Sequence, residues 1–255
     1  MRIAFLTGAG MSAESGVPTF RDALTGLWAR FDPQRLATPE AFAENPALVW
    51  GWYRWRAARV AAALPNAGHA GIARLEALGH RVEVITQNVD DLHERAGSSR
   101  VHHLHGRLLA SRCAACGARR APDPILDGSA MEDGGAREAP PQCTDCGGSY
   151  RPDVVWFGEA LPQAPWEKAC AAIDGCELAV VIGTSGLVQP AASLPALALA
   201  RGVPVLEINP DATPLSTRVD ALWRVPASRG IAALLERLEA AARTAPRDLI
   251  AAAPL

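Results

Sequence analysis

The sequence predicts an α/β protein, a doubly wound parallel sheet carrying a second, smaller unit. Four short apolar runs supply the sheet: Ile3–Thr7, Val82–Thr86, Ala179–Gly183 and Val203–Asn209. Each is rich in Val, Ile and Leu without polar alternation and ends in glycine or a polar turn, as strands buried on both faces do. Helical patterns lie between them, at roughly Gly68–Leu78, Trp166–Gly175, Ala191–Ala200 and Gly230–Thr244. Strand alternating with helix selects a parallel sheet covered on both sides. Two interruptions of that alternation supply the smaller unit.

The first strand runs into Gly8-Ala9-Gly10-Met11-Ser12-Ala13. This is G-x-G-x-x-A between a strand and a helix start, the context a dinucleotide fingerprint requires. Glycines let a backbone approach a pyrophosphate, and a helix N-terminus favours its charge. A structural turn is the competing reading. No second strand ending in an acid follows about 20 residues on, as hydride-transfer sites have. Leu27 to Leu64 occupies that space instead. It holds Trp28, Trp50, Trp52, Tyr53 and Trp55 and no strand signal, and reads as a helical insertion.

The second strand leads into Thr86-Gln87-Asn88-Val89-Asp90-Asp91. Polar side chains at the C-terminal end of a strand stand where α/β sheets bind ligands. Next comes Val101-His102-His103-Leu104-His105-Gly106. On an extended segment His103 and His105 share a face. A histidine reachable from the crevice is a candidate general base; a structural histidine or part of a second metal site are the alternatives.

Arg107 to Tyr150 is the second interruption and holds Cys113/Cys116 and Cys143/Cys146. Two C-x2-C pairs separated by 26 residues suit one tetrahedral zinc with four thiolates. Gly117 and Gly147 follow each pair as knuckle turns. Four protein ligands leave no open position, so the metal is expected to be structural. A nucleic-acid ribbon is the other known use, but aromatic residues for base stacking are missing. Between the pairs, Asp123 to Pro141 is rich in Gly, Pro, Asp and Ala and reads as a loop. Cys170 and Cys176 stand apart and read as packing residues.

The uncharged stretch Leu178 to Ala200 is broken by Gly183, Gly186, Pro190 and Pro195, so it reads as strand, turn and helix and not as a membrane span. The apolar run between the basic Arg2 and Gly8 is only Ile3 to Leu6, too short for an export signal. A cytoplasmic protein is expected. At 255 residues and 26.9 kDa the chain can bury a full core, and 49% hydrophobic with 20% charged residues excludes a disordered chain. A net charge of −2 excludes a broadly basic nucleic-acid or membrane surface.

Taken together, these motifs resemble the sirtuin family of NAD-dependent protein lysine deacylases. The matching residues are Gly8 to Arg21, Thr86 to Asp90, His103-Leu104-His105-Gly106, the two cysteine pairs, Arg151 to Glu159, Gly183-Thr184-Ser185 and Asn209. The resemblance runs from the first strand to about residue 240. It implies a Rossmann-type large domain (1–26, 65–106 and 151–255) with a smaller domain made of a helical module (27–64) and a zinc-binding module (107–150). It implies NAD as co-substrate and one structural zinc. Gly8, Ala9, Gly10, Ser12, Ala13, Glu14, Phe20 and Arg21 would hold the pyrophosphate and nicotinamide ribose. Gln87, Asn88, Val89 and Asp90 would line the nicotinamide pocket, with Asn88 and His105 catalytic and His105 the general base. Gly183, Thr184, Ser185, Asn209 and Ala227 would bind the adenosine half. Val155, Phe157, Gly158 and Glu159 would pair with the substrate backbone as an added strand. The products would be nicotinamide, free lysine and O-acyl-ADP-ribose. Acylated-lysine proteins are the implied partners of a monomer that binds neither nucleic acid nor membrane.

The helical insertion adds detail. Tyr53 and Arg56 are three apart and share a helix face. The pair resembles the Tyr-x-x-Arg of the subgroup that removes succinyl, malonyl and glutaryl groups, and Ala37 matches a small residue of its pocket. An acyl chain ending in a carboxylate needs a fixed cation, and Arg offers a planar fork of donors. A solvated helix face is the plain alternative. Protein mono-ADP-ribosyl transfer, a non-catalytic NAD-sensing scaffold and a dehydrogenase are the rival functions.

Overall fold

The computed structural model describes residues 1–17, 32–120, 137–240 and 244–254. In chain order the strands are β1 (Arg2–Thr7), β2 (Arg81–Thr86), β3 (Val101–His103), β4 (Gly106–Cys113), β5 (Arg119–Arg120), β6 (Tyr150–Val154), β7 (Leu178–Ile182), β8 (Val205–Ile208) and β9 (Ala221–Trp223). The helices are α1 (Gly10–Ala13), α2 (Pro33–Leu36), α3 (Pro39–Glu44), α4 (Pro46–Ala62), α5 (Ala67–Ala77), α6 (Leu92–Arg95), α7 (Gln163–Gly175), α8 (Leu194–Ala200), α9 (Ala227–Ala240) and α10 (Pro246–Ile250).

Six strands form a parallel sheet in the order β3-β2-β1-β7-β8-β9. Side chains alternate across it. Ile3 and Phe5 of β1 join Ile72 and Leu75 of α5 and Ile231 and Leu234 of α9 in one layer. Ala4 and Leu6 join Ala169 and Ile173 of α7 and Leu194 and Ala198 of α8 in the other. Both faces are covered, which explains the unbroken apolar runs.

Helix starts follow local chemistry. Asn66 caps α5: its Oδ1 accepts from Gly68 and His69 N–H, and His69 Nδ1 accepts from Asn66 N–H. Thr38 and Asn45 cap α3 and α4, each followed by a proline at a position that needs no N–H. The 17-residue α4 buries Trp50, Trp52, Tyr53 and Trp55, because it is enclosed by α3 and by a second, antiparallel sheet of order β5-β4-β6. Leu108, Val154 and Trp156 from that sheet and its exit share a cluster with Phe42, Trp52 and Tyr53.

The four expected strands are present with ends within two residues of expectation. The short β3 and β9 and the whole small sheet carried no readable apolar run. The helix expected from Ala191 opens as a 3₁₀ turn over Ala191–Ser193 before α8. The last expected helix, Gly230–Thr244, is present as α9 from Ala227 to Ala240; residues 241–243 lie outside the described residues and Thr244 is not helical. Most of the Asp123–Pro141 loop lies outside the described residues. Among the described residues no helix is long and apolar enough to cross a membrane.

Candidate functional site

The sheet order reverses at β1: β2 lies on one side and β7 on the other. Loops leaving the two halves therefore diverge and open a crevice at the strands' C-terminal ends. A cleft of about 820 Å³ fills that position.

Its floor is made of two loops in backbone contact. Gly8 N–H donates to the Ile182 carbonyl at 2.9 Å, and Gly10 N–H to that of Gly183 at 2.8 Å. A Cβ on Gly10 would stand 2.7 Å from the Gly183 Cα. One on Gly183, whose φ is +58°, would stand 2.5 Å from the Gly10 carbonyl carbon. The glycines thus let the loops after β1 and β7 lie against each other. The fingerprint reading assigned them to the approach of a ligand; loop packing is what they visibly allow. Met11 and Ser12 N–H are bonded to Gly8 and Ala9 carbonyls. Among the described residues this leaves the N–H groups of Ala9, Thr184 and Ser185 without a backbone partner. All three residues line the cleft, and unpaired amides around a pocket are anion donors.

Beside this floor a polar knot is buried. Ser12 Oγ donates to Asp90 Oδ2 at 2.9 Å and accepts from Asn88 Nδ2 at 3.1 Å. Leu92 N–H donates to Asp90 Oδ1. Burial pushes the Asp90 carboxyl above its ordinary pKa, and the Ser12 and Leu92 bonds oppose the rise. Gln87 Nε2 donates to Thr184 Oγ1 at 3.0 Å, and Asn209 Nδ2 to the Thr184 carbonyl at 2.9 Å, tying β2, β7 and β8 ends together. Glu14 carries no such cross-sheet tie; its carboxylate accepts from Ser228 N–H and Oγ at the start of α9.

Behind the knot runs a second polar chain that the motifs did not announce. Thr7 and Thr86 are register partners at the ends of β1 and β2. Thr7 Oγ1 donates to Thr86 Oγ1 at 2.9 Å and meets His93 Nε2 at 3.1 Å. Asn88 N–H donates to Thr86 Oγ1 at 3.0 Å. Since the Thr7 hydrogen is spent on Thr86, His93 Nε2 is the donor to Thr7. His93 packs edge-on to His69, with ring centroids 4.8 Å apart.

The histidines separate. β3 ends at His103, so the extended run that would align His103 with His105 stops between them. His103 is held by the Asn88 carbonyl and by Glu94, and His102 by Glu83. His105 lines the cleft with Nδ1 on the Gln87 carbonyl at 3.0 Å. Its Nε2 has no partner among the described residues. Burial lowers its pKa, so the ring is neutral near pH 7 and Nε2 can accept a proton.

The far wall holds Tyr53, Arg56 and Phe157. The Arg56 guanidinium lies 5.0 Å from the Trp52 ring centroid and 5.7 Å from that of Tyr53. Tyr53 Oη accepts from Trp156 Nε1 at 2.9 Å. Ala37, Val155, Gly158 and Glu159 do not line the cleft. Ala37 is in the helical cluster and its carbonyl accepts from Phe157 N–H. Val155 N–H is bonded to the His105 carbonyl, and Glu159 forms a paired salt bridge with buried Arg151. With the N–H groups of Val155 to Phe157 engaged, a substrate strand would meet mainly carbonyls here. The expected roles of Phe20 and Arg21 lie outside the described residues. Every other expected nucleotide-binding residue lines the one cleft, Val89 and Ala227 included.

Away from the cleft, Cys113, Cys116, Cys143 and Cys146 bring their Sγ atoms within 4.8 Å of one another. Two of the separations are 3.5 and 3.7 Å. Four thiolates about 2.3 Å from a tetrahedral zinc stand about 3.8 Å apart, so the set fits one structural zinc ion. Gly117 and Gly147 take positive φ at the two knuckles, 76° and 74°.

Fold and site define a nucleotide-binding α/β protein with a closed thiolate module and with Arg56 on the far wall of the nucleotide cleft. Residues 8–190 match the Sir2 family, and the chain belongs to that family. It is 54% identical over 240 residues to the NAD-dependent protein deacylase of Mycobacterium tuberculosis, covering 94% of this chain and 99% of the relative. It is 56% identical over 217 residues to NAD-dependent protein deacylase 1 of Pseudomonas aeruginosa, covering 85% of each. A solved Sir2 homolog–NAD complex superposes with a TM-score of 0.85 at 45% identity, covering 94% of this chain and 90% of that one. A Sir2 structure bound to acetylated peptide superposes with a TM-score of 0.78 at 27% identity, covering 95% and 94%.

Proposed function

We propose that the protein is an NAD-dependent protein lysine deacylase that removes acetyl groups and, through Tyr53 and Arg56, the acidic succinyl and malonyl groups. The observation that carries this reading is the shared cleft: the amide floor, the Asn88–Asp90 knot, His105 and the Tyr53–Arg56 pair all face one space. Its relatives' common name supports the reaction class.

When bound, NAD supplies a ribose carbon from which nicotinamide departs as the acyl oxygen attacks. The residues of the chain do the rest. The Ala9, Thr184 and Ser185 amides hold the diphosphate, with Gly8, Gly10 and Gly183 fixing their loops. Asn209 and Ala227 border the adenosine half, and Ala13 and Glu14 the opposite rim. Ser12 orients Asn88 and Asp90 toward the nicotinamide end, beside Gln87 and Val89. His105 Nε2 takes a proton from a ribose hydroxyl. Val155 to Glu159 seats the peptide, and Ala37 backs that segment. With water taken up, nicotinamide, the free lysine and O-acyl-ADP-ribose leave. We read the large parallel sheet and the helical and thiolate modules as two domains of a cytoplasmic enzyme.

Arg56 suits the acidic acyl end chemically. Burial lowers its pKa, opposed by Tyr53 and Asp90, and a guanidinium stays charged at neutral pH. A panel of acetyl-, succinyl-, malonyl- and glutaryl-lysine peptides with NAD tests the reading. Arg56→Met is expected to lower the succinyl-to-acetyl ratio of kcat/KM by about two orders of magnitude, from loss of about 3 kcal/mol of charge pairing. Equal losses on both substrates would remove the acyl assignment. Label from NAD appearing on protein instead of on O-acyl-ADP-ribose would favour ADP-ribosyl transfer.

A further inference from the structure

Trp156 lies outside the cleft lining, yet it touches the hydroxyl on which the acidic-acyl reading depends. It is buried, with its ring centroid 5.4 Å from that of Phe42 and 6.3 Å from that of Tyr53. Its indole N–H donates to Tyr53 Oη at 2.9 Å. An indole N–H can only donate. The phenol oxygen must therefore be the acceptor of this bond, and the one hydrogen of Tyr53 is left for another partner. Beside Arg56 in the cleft, the partner it suits is a carboxylate.

Trp156 is itself held through its ring and through its backbone. The Arg151 guanidinium lies 3.3 Å from its ring centroid. The backbone N–H of Trp156 donates to Glu159 Oε2 at 2.8 Å. Arg151 closes the loop with Nη1 and Nη2 on the Glu159 carboxylate at 2.5 and 2.9 Å, and Nη2 on the Val154 carbonyl at 3.0 Å. The backbone bond to Glu159, the Arg151 guanidinium over the ring and the packing on Phe42 hold the indole independently of Tyr53, so it can set the direction of the Tyr53 hydroxyl. Burial pushes the phenol pKa up to about 12, opposed by Arg56 and by the Trp156 bond, so Tyr53 keeps its hydrogen at neutral pH.

We propose that Trp156 is a positioning residue for acidic acyl groups: its N–H occupies the acceptor side of the Tyr53 oxygen and turns the Tyr53 hydroxyl hydrogen toward the acyl carboxylate that Arg56 pairs with. The proposal rests on the acidic-acyl reading of the cleft. A phenylalanine at 156 keeps an aromatic ring under Arg151 but removes the donor. The Tyr53 hydroxyl is then free to rotate, and a bond to a charged acceptor worth roughly tenfold in binding is weakened.

The test measures KM and kcat for succinyl- and acetyl-lysine forms of one peptide with NAD, in the full-length enzyme and in Trp156→Phe, Tyr53→Phe and the double variant. The expected result is a roughly tenfold fall in the succinyl-to-acetyl ratio of kcat/KM in Trp156→Phe, carried by the succinyl KM. In the Tyr53→Phe background the same change at 156 is expected to leave the ratio where it is. A ratio that does not move in Trp156→Phe overturns the proposal, and so does a shift that persists without the Tyr53 hydroxyl. Trp156→His, which keeps a ring N–H in a smaller ring, covers the case in which the phenylalanine variant does not fold. It is expected to hold the ratio within about threefold of the unaltered enzyme, and a tenfold fall there assigns the effect to packing and overturns the proposal. If the unaltered enzyme shows no Arg56-dependent succinyl activity, the acyl reading itself fails; if it does and only the Trp156 arm is silent, only the present proposal fails.

Discussion

Thr86→Val isolates the polar chain behind the Ser12–Asn88–Asp90 end of the cleft. Valine keeps the shape of threonine and removes one hydroxyl. That oxygen accepts from Thr7 Oγ1 at 2.9 Å and from Asn88 N–H at 3.0 Å, and Thr7 and Thr86 are fully buried. Neither donor has a ready substitute. The Thr7 hydrogen can turn only toward His93 Nε2, which already donates, so the ring would have to change tautomer. The Asn88 N–H would be left without its acceptor. An unsatisfied buried donor costs about 1–3 kcal/mol, and with partial rescue of Thr7 we expect a destabilisation of about 2 kcal/mol. For a chain of this size that is about 4–8 °C in Tm. Because Asn88 belongs to the knot with Ser12 and Asp90, activity should fall as well. We expect kcat/KM on an acetyl-lysine peptide to drop at least tenfold in Thr86→Val and to return to within about threefold in Thr86→Ser, which keeps the hydroxyl. Calorimetry and initial rates read both effects. A Thr86→Val protein with unchanged Tm and full activity would refute the argument, since the hydroxyl would then be carrying neither donor.

Three further outcomes are expected. Stripping the four-cysteine site with a strong chelator should release one zinc per chain and unfold the small sheet, seen as a change in Trp50 fluorescence, because Trp50 packs with Cys113, Cys143 and Tyr150; an unaltered spectrum after full release would contradict a structural metal. Stability should fall with acidification below about pH 6.5. Burial lowers the His69 pKa to about 4, opposed by Glu14, and burial with the neighbouring His69 and His103 holds His93 well below its ordinary value. The folded state then refuses protons that the unfolded chain takes up near pH 6.5, so stability is complete above that pH and is lost toward pH 4, by up to ~1.4 kcal/mol per pH unit for each ring; a denaturation midpoint that is flat from pH 7 to 5 would exclude this. Gly183→Ala should abolish NAD binding and cost several degrees in Tm, since a Cβ at 2.5 Å from Gly10 forces the two floor loops apart; calorimetric titration with NAD at wild-type affinity would rule out the loop-packing account.

What the sequence made legible was set by local pattern. The central strands could be read because burial on both faces leaves an unbroken apolar run, and the metal site because knuckle geometry fixes the spacing within each cysteine pair. Tyr53 and Arg56 were readable because three residues on a helix is already a spatial relation. What stayed hidden depends on register between distant segments. Thr7 meets Thr86 only because β1 and β2 align without offset, and Trp156 reaches Tyr53 across 103 residues. His93 looked like any helix residue until α6 placed it behind Thr7. Trp156 stood inside a recognised motif, but nothing in its neighbours' identities gave the direction of its N–H. β3 and β9, three residues each, are strands by virtue of the sheet they extend and carry too little apolar sequence to be recognised alone.

The position of β1 has a consequence for how the chain reaches its native state. Its two ladders are very unequal in reach: Arg2 and Glu177, which are bonded at one end of the β1–β7 pairing, are 175 residues apart in sequence. The buried apolar strand β1 therefore waits for the later-synthesised of its two partners. Parallel pairings of such separation are slow to close, and at a synthesis rate of about 5–20 residues per second the gap amounts to roughly 9–35 seconds. During that interval Ile3 to Leu6 can pair with β2 alone, with its other edge bare. Shielding of that edge by a chaperone, more than the final stability of the sheet, is what should govern how much active protein a cell recovers.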